Sequence, residues 1–353
     1  KLHMDTIFLN EKAKMMYEDR KVKLAIFGLV LAWISALSLV IFQNFNVIVT
    51  EKISVHFPEL LLFTYVLTLV ILFFCEFLGG LLMIAFNTLR GVPLAEYARV
   101  WQVKSSRSVL GAAVLSGPLA TACSIVGIGL CGSTYGNCII GLTPVITAIL
   151  GTIFLKEKTG IRVFCGILLT VVGVIVASIA PPEGVSHFYL GLLITCVAPI
   201  GYAIEAIIST HAIDVSDPLI VCPLYRMLGC SLMELFCAVV VCAATRHLGW
   251  ISQIFGIVFS EPVILLFLLL STIFMTIQYN GIYAAYSYCG ATRGSAILFS
   301  TPLWSIPIGL VMAKMGIMTF SVTTLGIIGA CVIVVGILVV LAKPSELFNL
   351  RDV

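Results

Sequence analysis

The chain has 353 residues, is 60% hydrophobic with a mean hydropathy of +1.14, and carries charge on only 10% of its residues. A soluble domain carries about 25% charged residues, and no aqueous fold of this size hides so much apolar surface. The net charge of +3 is too small to define a partner, and no nucleic acid is expected.

Residues 1–21 read as a cytoplasmic N-terminal segment. Residues 1–3 resemble a cloning remnant ahead of a start at Met4. Residues 5–21 are polar and mixed in charge, so they form a short interfacial helix or stay unstructured, and no cleavable signal is visible. A membrane span needs roughly 20 apolar residues. Ten such runs follow, at about 22–49, 58–87, 108–130, 134–155, 161–180, 189–210, 219–245, 262–287, 292–314 and 319–342. The count falls to nine if one of the short turns between spans 3–4 or 8–9 fails to break the helix. The polar, basic stretch 88–107 reads as the longest internal loop, and 343–353 as a cytoplasmic tail. With ten spans and a cytoplasmic start, sixteen Lys and Arg fall on the inner side, against Lys52, Arg246 and Lys314 on the outer, while Arg226 lies within a span. The positive-inside rule then puts both termini in the cytoplasm, and the plasma (inner) membrane is the expected location.

One passage occurs twice. Residues 131–144 read CGSTYGNCIIGLTP and residues 289–302 read CGATRGSAILFSTP, so Cys131/Cys289, Gly132/Gly290, Thr134/Thr292, Gly136/Gly294, Thr143/Thr301 and Pro144/Pro302 match at an offset of 158. Gly151/Gly309 and Lys156/Lys314 keep that offset, and Gly28/Gly191, Gly166/Gly329 and Gly173/Gly336 match at 163. The fold class expected is therefore an all-α membrane protein of ten transmembrane helices in two inverted five-helix repeats, 22–180 and 189–342, joined at Ala180-Pro181-Pro182-Glu183-Gly184. Five spans per half is an odd number, so the second copy crosses in the opposite sense. Pro144 and Pro302 each follow a Gly-x-x-x-Gly, at Gly132/Gly136 and Gly290/Gly294. They serve packing and tight turns, or they kink a pair of gating helices.

These features resemble the drug/metabolite transporter superfamily, in its EamA-like branch. The similarity rests on two five-span halves, the paired Thr143-Pro144 and Thr301-Pro302, the Asp217-Pro218…Tyr225-Arg226 entry into a second span, and the charged turn Leu155-Lys156-Glu157-Lys158. It covers roughly residues 24–342. The first half departs from the pattern with Val66 where the Arg would stand, and the second with Met315 opposite Glu157. The resemblance implies carriage of small organic solutes by alternating access.

Ionisable groups inside a span are functional candidates by default. At about 1.5 Å per residue, Glu205 and Arg226 fall at similar depth on consecutive spans, which suits an ion pair on the inner side, or a substrate or proton site at Glu205 alone. Glu234 falls near the bilayer centre, with structural pairing and proton coupling both open. Glu76 reaches the inner interface if span 2 is long. Trp33, Tyr202 and Trp304 lie near mid-depth, and Tyr279 and Tyr283 share a helix face with Tyr286 beside Asn280. Together these could pack as ordinary helix contacts or form a box for a flat or cationic solute. Pro199 should kink span 6 just before Tyr202.

The expected function is a secondary transporter of a small polar or cationic metabolite such as an amino acid or amine. Trp33, Tyr202, Glu205, Tyr279, Asn280, Tyr283 and Trp304 would bind substrate, and Arg226, Glu234, Pro144 and Pro302 would gate. The alternative is a membrane-embedded scaffold or lipid-handling protein without carrier activity. No catalytic or Walker motif is present and the twelve cysteines lack metal spacing, so no enzyme activity, metal or cofactor is expected. The partners expected are a small-molecule substrate and membrane lipid, in a monomer or homodimer.

Overall fold

A computed structural model describes residues 11–57, 61–154, 161–183, 185 and 187–341. The suggested cloning remnant, the Leu155–Lys158 turn and the tail lie outside the described residues. Every regular element among them is helical: α1 (Glu11–Ser54), α2 (Leu61–Leu89), α3 (Leu94–Gln102), α4 (Lys104–Val114), a π-helical turn (Leu115–Thr121), α5 (Ala122–Cys131), α6 (Ser133–Ile140), α7 (Thr143–Phe154), α8 (Ile161–Ser178), α9 (Phe188–Thr195), α10 (Val197–Ala212), α11 (Pro218–Val221), a second π-helical turn (Cys222–Gly229), α12 (Cys230–Ala244), α13 (Gly249–Ser260), α14 (Pro262–Leu298), α15 (Thr301–Lys314) and α16 (Thr324–Leu341).

Among the described residues, eight helical stretches are long and apolar enough to cross a membrane: Arg20–Ser54, Leu61–Leu89, Lys104–Cys131, Ser133–Leu150, Phe188–Ala212, Pro218–Ala244, Pro262–Ala291 and Arg293–Lys314. They coincide with eight of the ten runs read from the sequence. The other two runs form α8 and α16, whose apolar windows, Phe164–Ser178 and Thr324–Val339, are shorter. Large apolar side chains such as Leu82, Phe164, Phe236, Val311 and Leu338 stand exposed on the outside of the bundle. Lipid is the solvent that removes the penalty of such a surface.

Two elements depart from the pattern expected of the sequence. The 88–107 stretch is not simply a loop, because it contains α3, with Tyr97 and Val100 buried and Leu94 and Trp101 exposed. Asn87 donates from Nδ2 both to the Tyr97 hydroxyl at 3.0 Å and to the Leu219 carbonyl at 2.7 Å. Burial and the nearby Asp217 charge push the Tyr97 phenol above its ordinary pKa, against the opposing effect of the Asn87 bond. The second is α13, which lies between α12 and α14 with Ile254 and Val258 turned inward.

Close helix approaches occur where the repeated glycines stand. A Cβ on Gly173 would lie 2.9 Å from the Gly329 carbonyl oxygen, and one on Gly336 would lie 3.0 Å from the Gly166 carbonyl oxygen, so α8 and α16 run against each other backbone to backbone. A Cβ on Gly191 would come within 2.8 Å of both the Cys131 nitrogen and the Gly127 oxygen. One on Gly28 would come 3.5 Å from the Cys289 nitrogen and 3.6 Å from the Ala285 oxygen. In lipid, small residues at such crossings let dispersion and backbone contact hold helices together.

The duplicated passage folds alike in its two copies. Gly132 (φ 94°, ψ 150°) and Gly290 (φ 79°, ψ 168°) each interrupt a helix with a conformation open almost only to glycine. Each is followed by a short helical piece and a second break, at Gly141–Leu142 and at Phe299–Ser300. Pro144 and Pro302 then sit in the first turn of α7 and α15, where proline's missing N–H removes no intrahelical bond. The expected proline kink is thus replaced by a full break just upstream of each proline. In α10 the pattern is similar: the helix breaks at Cys196, three residues before Pro199. Gly132→Ala, where the nearest atom to the added Cβ is 3.6 Å away, should cost about 1–3 kcal/mol through backbone strain alone, read as a fall in thermal stability in detergent.

Candidate functional site

Arg226 sits in the second π-helical turn, a segment with Pro223 inside it, and such local widening is frequent at functional sites. Its guanidinium is fully buried. Nη1 donates to Glu76 Oε1 at 2.7 Å, Nη2 donates to the Tyr279 hydroxyl, and Nε lies 2.9 Å from Glu205 Oε1 without pointing its hydrogen along that line. The guanidinium carbon also lies 3.9 Å from the Tyr279 ring centre, a cation–π contact strengthened by burial. One cation is therefore shared by two carboxylates and one ring.

The aromatic residues extend this cluster. Tyr283 donates to Glu205 Oε1 at 2.9 Å and pairs with the Ser209 hydroxyl at 2.8 Å. The Tyr202 hydroxyl is 3.2 Å from both Thr121 and Ser124, and Thr121 is 3.5 Å from the Tyr279 hydroxyl. Tyr202, Glu205, Gln278, Tyr279, Tyr283, Tyr286 and Phe299 wall an internal cavity of about 20 Å³, room for a water molecule. A larger cavity of about 280 Å³ lies between the end of α1 (Asn44, Val47, Glu51), the α5–α6 break, Pro182, Val185, His187 and Met318–Ser321.

Of the residues expected to bind substrate, Tyr202, Glu205, Tyr279 and Tyr283 meet around one cavity, and Arg226 joins them through Glu205 and Tyr279. Trp33 and Trp304 meet each other, edge to face at 5.3 Å between centroids, with Trp33 on the exposed face of α1. Asn280 turns to the Thr276 carbonyl (2.9 Å) and the Met227 sulfur (3.5 Å). Neither Trp33, Trp304 nor Asn280 lines the small cavity. The reading of Glu76 as an interface residue is corrected: it is fully buried and holds Arg226. Glu234 is fully buried one helical turn from Cys230, beside Glu76.

Further polar groups also face inward. Gln43 is fully buried with neither side-chain atom partnered, and Asn44 Oδ1, Gln278 Oε1 and Thr301 Oγ1 are unpartnered too. Most buried polar groups are hydrogen-bonded, so these stand out. The run Gln43-Asn44-Phe45-Asn46 within an otherwise apolar span is the signal in the sequence that points to Gln43 and Asn44.

No known family's model matches the chain, and no curated protein matches it. Solved structures do resemble it. One, described only as "Crystal structure of protein", superposes with a TM-score of 0.54 at 15% identity, covering 90% of this chain and 97% of its own. That likeness concerns the fold alone.

Proposed function

We propose that the chain is a secondary transporter of the drug/metabolite type that moves a small polar or cationic metabolite by alternating access. The observation that carries this reading is the buried cluster of Glu76, Glu205 and Arg226 beside a tyrosine-walled cavity in the bundle interior. Ionised groups buried in a membrane bundle are costly and are retained for pathways and ligands. Glu205 and the rings of Tyr202, Tyr279 and Tyr283 suit an ammonium group. The 20 Å³ cavity is that of a closed state, so a solute enters only by opening the helices around it.

Ten spans in two inverted halves belong to the same proposal. The Gly173–Gly329 and Gly336–Gly166 approaches exchange under the 163-residue offset, as a self-complementary contact across a two-fold axis does. The Gly191–Cys131 and Gly28–Cys289 approaches correspond in the same way, and so do the breaks at Gly132 and Gly290. These correspondences support a dyad in the membrane plane. The short breaks beside Pro144 and Pro302 are the natural hinges. Both termini are assigned to the cytoplasm, by the placement of Lys and Arg.

Reconstitution into liposomes tests the reading. Uptake of a labelled amine or amino acid that is accelerated by unlabelled solute on the opposite side is expected, and no flux of any amine, amino acid or nucleoside would leave a scaffold or lipid-handling role instead. Glu205→Gln should lower that uptake at least tenfold or flatten its pH dependence. An amine carried normally by this variant at every pH removes the role given to Glu205.

A further inference from the structure

Resting on the carrier reading, we propose that Glu76 and Glu234 form a proton-binding site that holds one proton at neutral pH. Glu76, Glu205 and Glu234 lie in one buried cluster in which Arg226 is the single cation among the described residues. Two carboxylates, Glu76 and Glu205, already occupy that cation. Glu234 has none of its own: its Oε1 receives only a long contact from the Cys230 sulfur at 3.9 Å, and its Oε2 has no partner. Glu76 Oε2 is likewise unpartnered and fully enclosed. Ligand atoms of Glu76, Cys230 and Glu234 lie within 4.8 Å of one another.

Two carboxylates this close in a buried site, with the one nearby cation already shared, resist ionising together. A proton on one of them removes the repulsion and supplies the donor that both free oxygens lack. The groups facing Glu234 offer no other remedy. On α2 they are Glu76, Cys75 and Tyr65, on the π-helical turn Arg226, and on its own helix Cys230 and Cys237. From the first π-helical turn Gly117 faces it, where an added Cβ would lie 3.1 Å from Glu234 Oε1, so the packing leaves little room for a hydrated ion. A metal ion is disfavoured as well, because a guanidinium nitrogen stands 2.7 Å from Glu76. A cationic solute arriving at Glu205 would add the positive charge that the cluster lacks, and the bound proton would then leave. Solute at Glu205 and proton on the Glu76–Glu234 pair thus offset the excess negative charge of one cluster linked through Arg226, so binding of one favours release of the other.

Infrared spectroscopy of the full chain in lipid bilayers, without any solute, reads the proton directly. The wild type should show a protonated-carboxyl C=O band at pH 7 that shifts in D2O, and Glu234→Gln or Glu76→Gln should remove it. Glu234→Gln should also leave the melting temperature nearly unchanged, since an amide imitates a neutral acid, whereas Glu76→Gln should lower it by freeing Arg226. The absence of the band at pH 7 in wild type, or its persistence in both variants, overturns the site. A melting temperature that falls on adding a chelator and recovers with Zn2+ overturns it in favour of a metal. Because no solute is used, loss of the band defeats the proton site whatever the flux. A band retained in a chain that carries no solute supports the site and defeats the carrier reading alone.

Discussion

Arg226→Met should destabilise the protein by about 3–5 kcal/mol, the range for breaking a buried ion pair by removing one partner. The side chain is fully buried, and its loss strands Glu76 and Glu205 together in the bundle interior. It also removes the donor that meets Tyr279 and the cation beneath its ring. The expected result is a large fall in melting temperature in detergent at pH 7, recovered in part as the pH is lowered and the stranded carboxylates take up protons. The triple variant Arg226→Met, Glu76→Gln, Glu205→Gln should regain most of the lost stability, because replacing all members of a buried ion network with neutral groups of similar size is close to neutral. A single Arg226→Met variant that melts like the wild type would show that the cluster is hydrated, and the electrostatic account of the site would fall with it.

Gly329→Leu should separate α8 from α16 and cost about 3 kcal/mol or more, at or beyond the upper end of ordinary overpacking. Even a methyl group there would lie 2.6 Å from the Ala177 nitrogen and 2.6 Å from the Gly173 oxygen. Both are backbone atoms, so no side-chain rotation relieves the clash. The readout is loss of the monodisperse species in size-exclusion chromatography together with early unfolding. Gly256→Leu is the control: it is an equally helical glycine on α13 with nothing within 4 Å of an added Cβ, so it should behave as the wild type. Equal behaviour of the two variants would mean that the α8–α16 crossing is looser than its geometry shows.

Parts of the site are legible in the amino-acid sequence. Depth arithmetic along spans 6 and 7 places Glu205 and Arg226 level with one another, and they are paired. Helical spacing puts Tyr279, Tyr283 and Tyr286 on one face, and they wall one cavity. The same reasoning fails for Glu76, because a residue count gives depth along a helix and not the direction the side chain faces. It also assigns Trp33 and Trp304 to the cavity, whereas the rotation of α1 turns Trp33 outward against its partner ring. The proline signals are real but displaced by a few residues. Each marks the first turn of a new helix, with the break at a glycine or turn upstream, since proline is best accommodated where no N–H is needed.

The sequence by itself determined the solvent, the helices and the positions of the internal charges and glycines. Hydrophobicity and helix propensity act residue by residue along the chain, so both can be read in one dimension. Which carboxylate met Arg226, which pair of acids was left without a cation, and which glycines touched backbone to backbone were decided only in the tertiary structure. Those outcomes depend on the rotation of each helix about its axis and on contacts between residues more than a hundred positions apart, which no local pattern encodes.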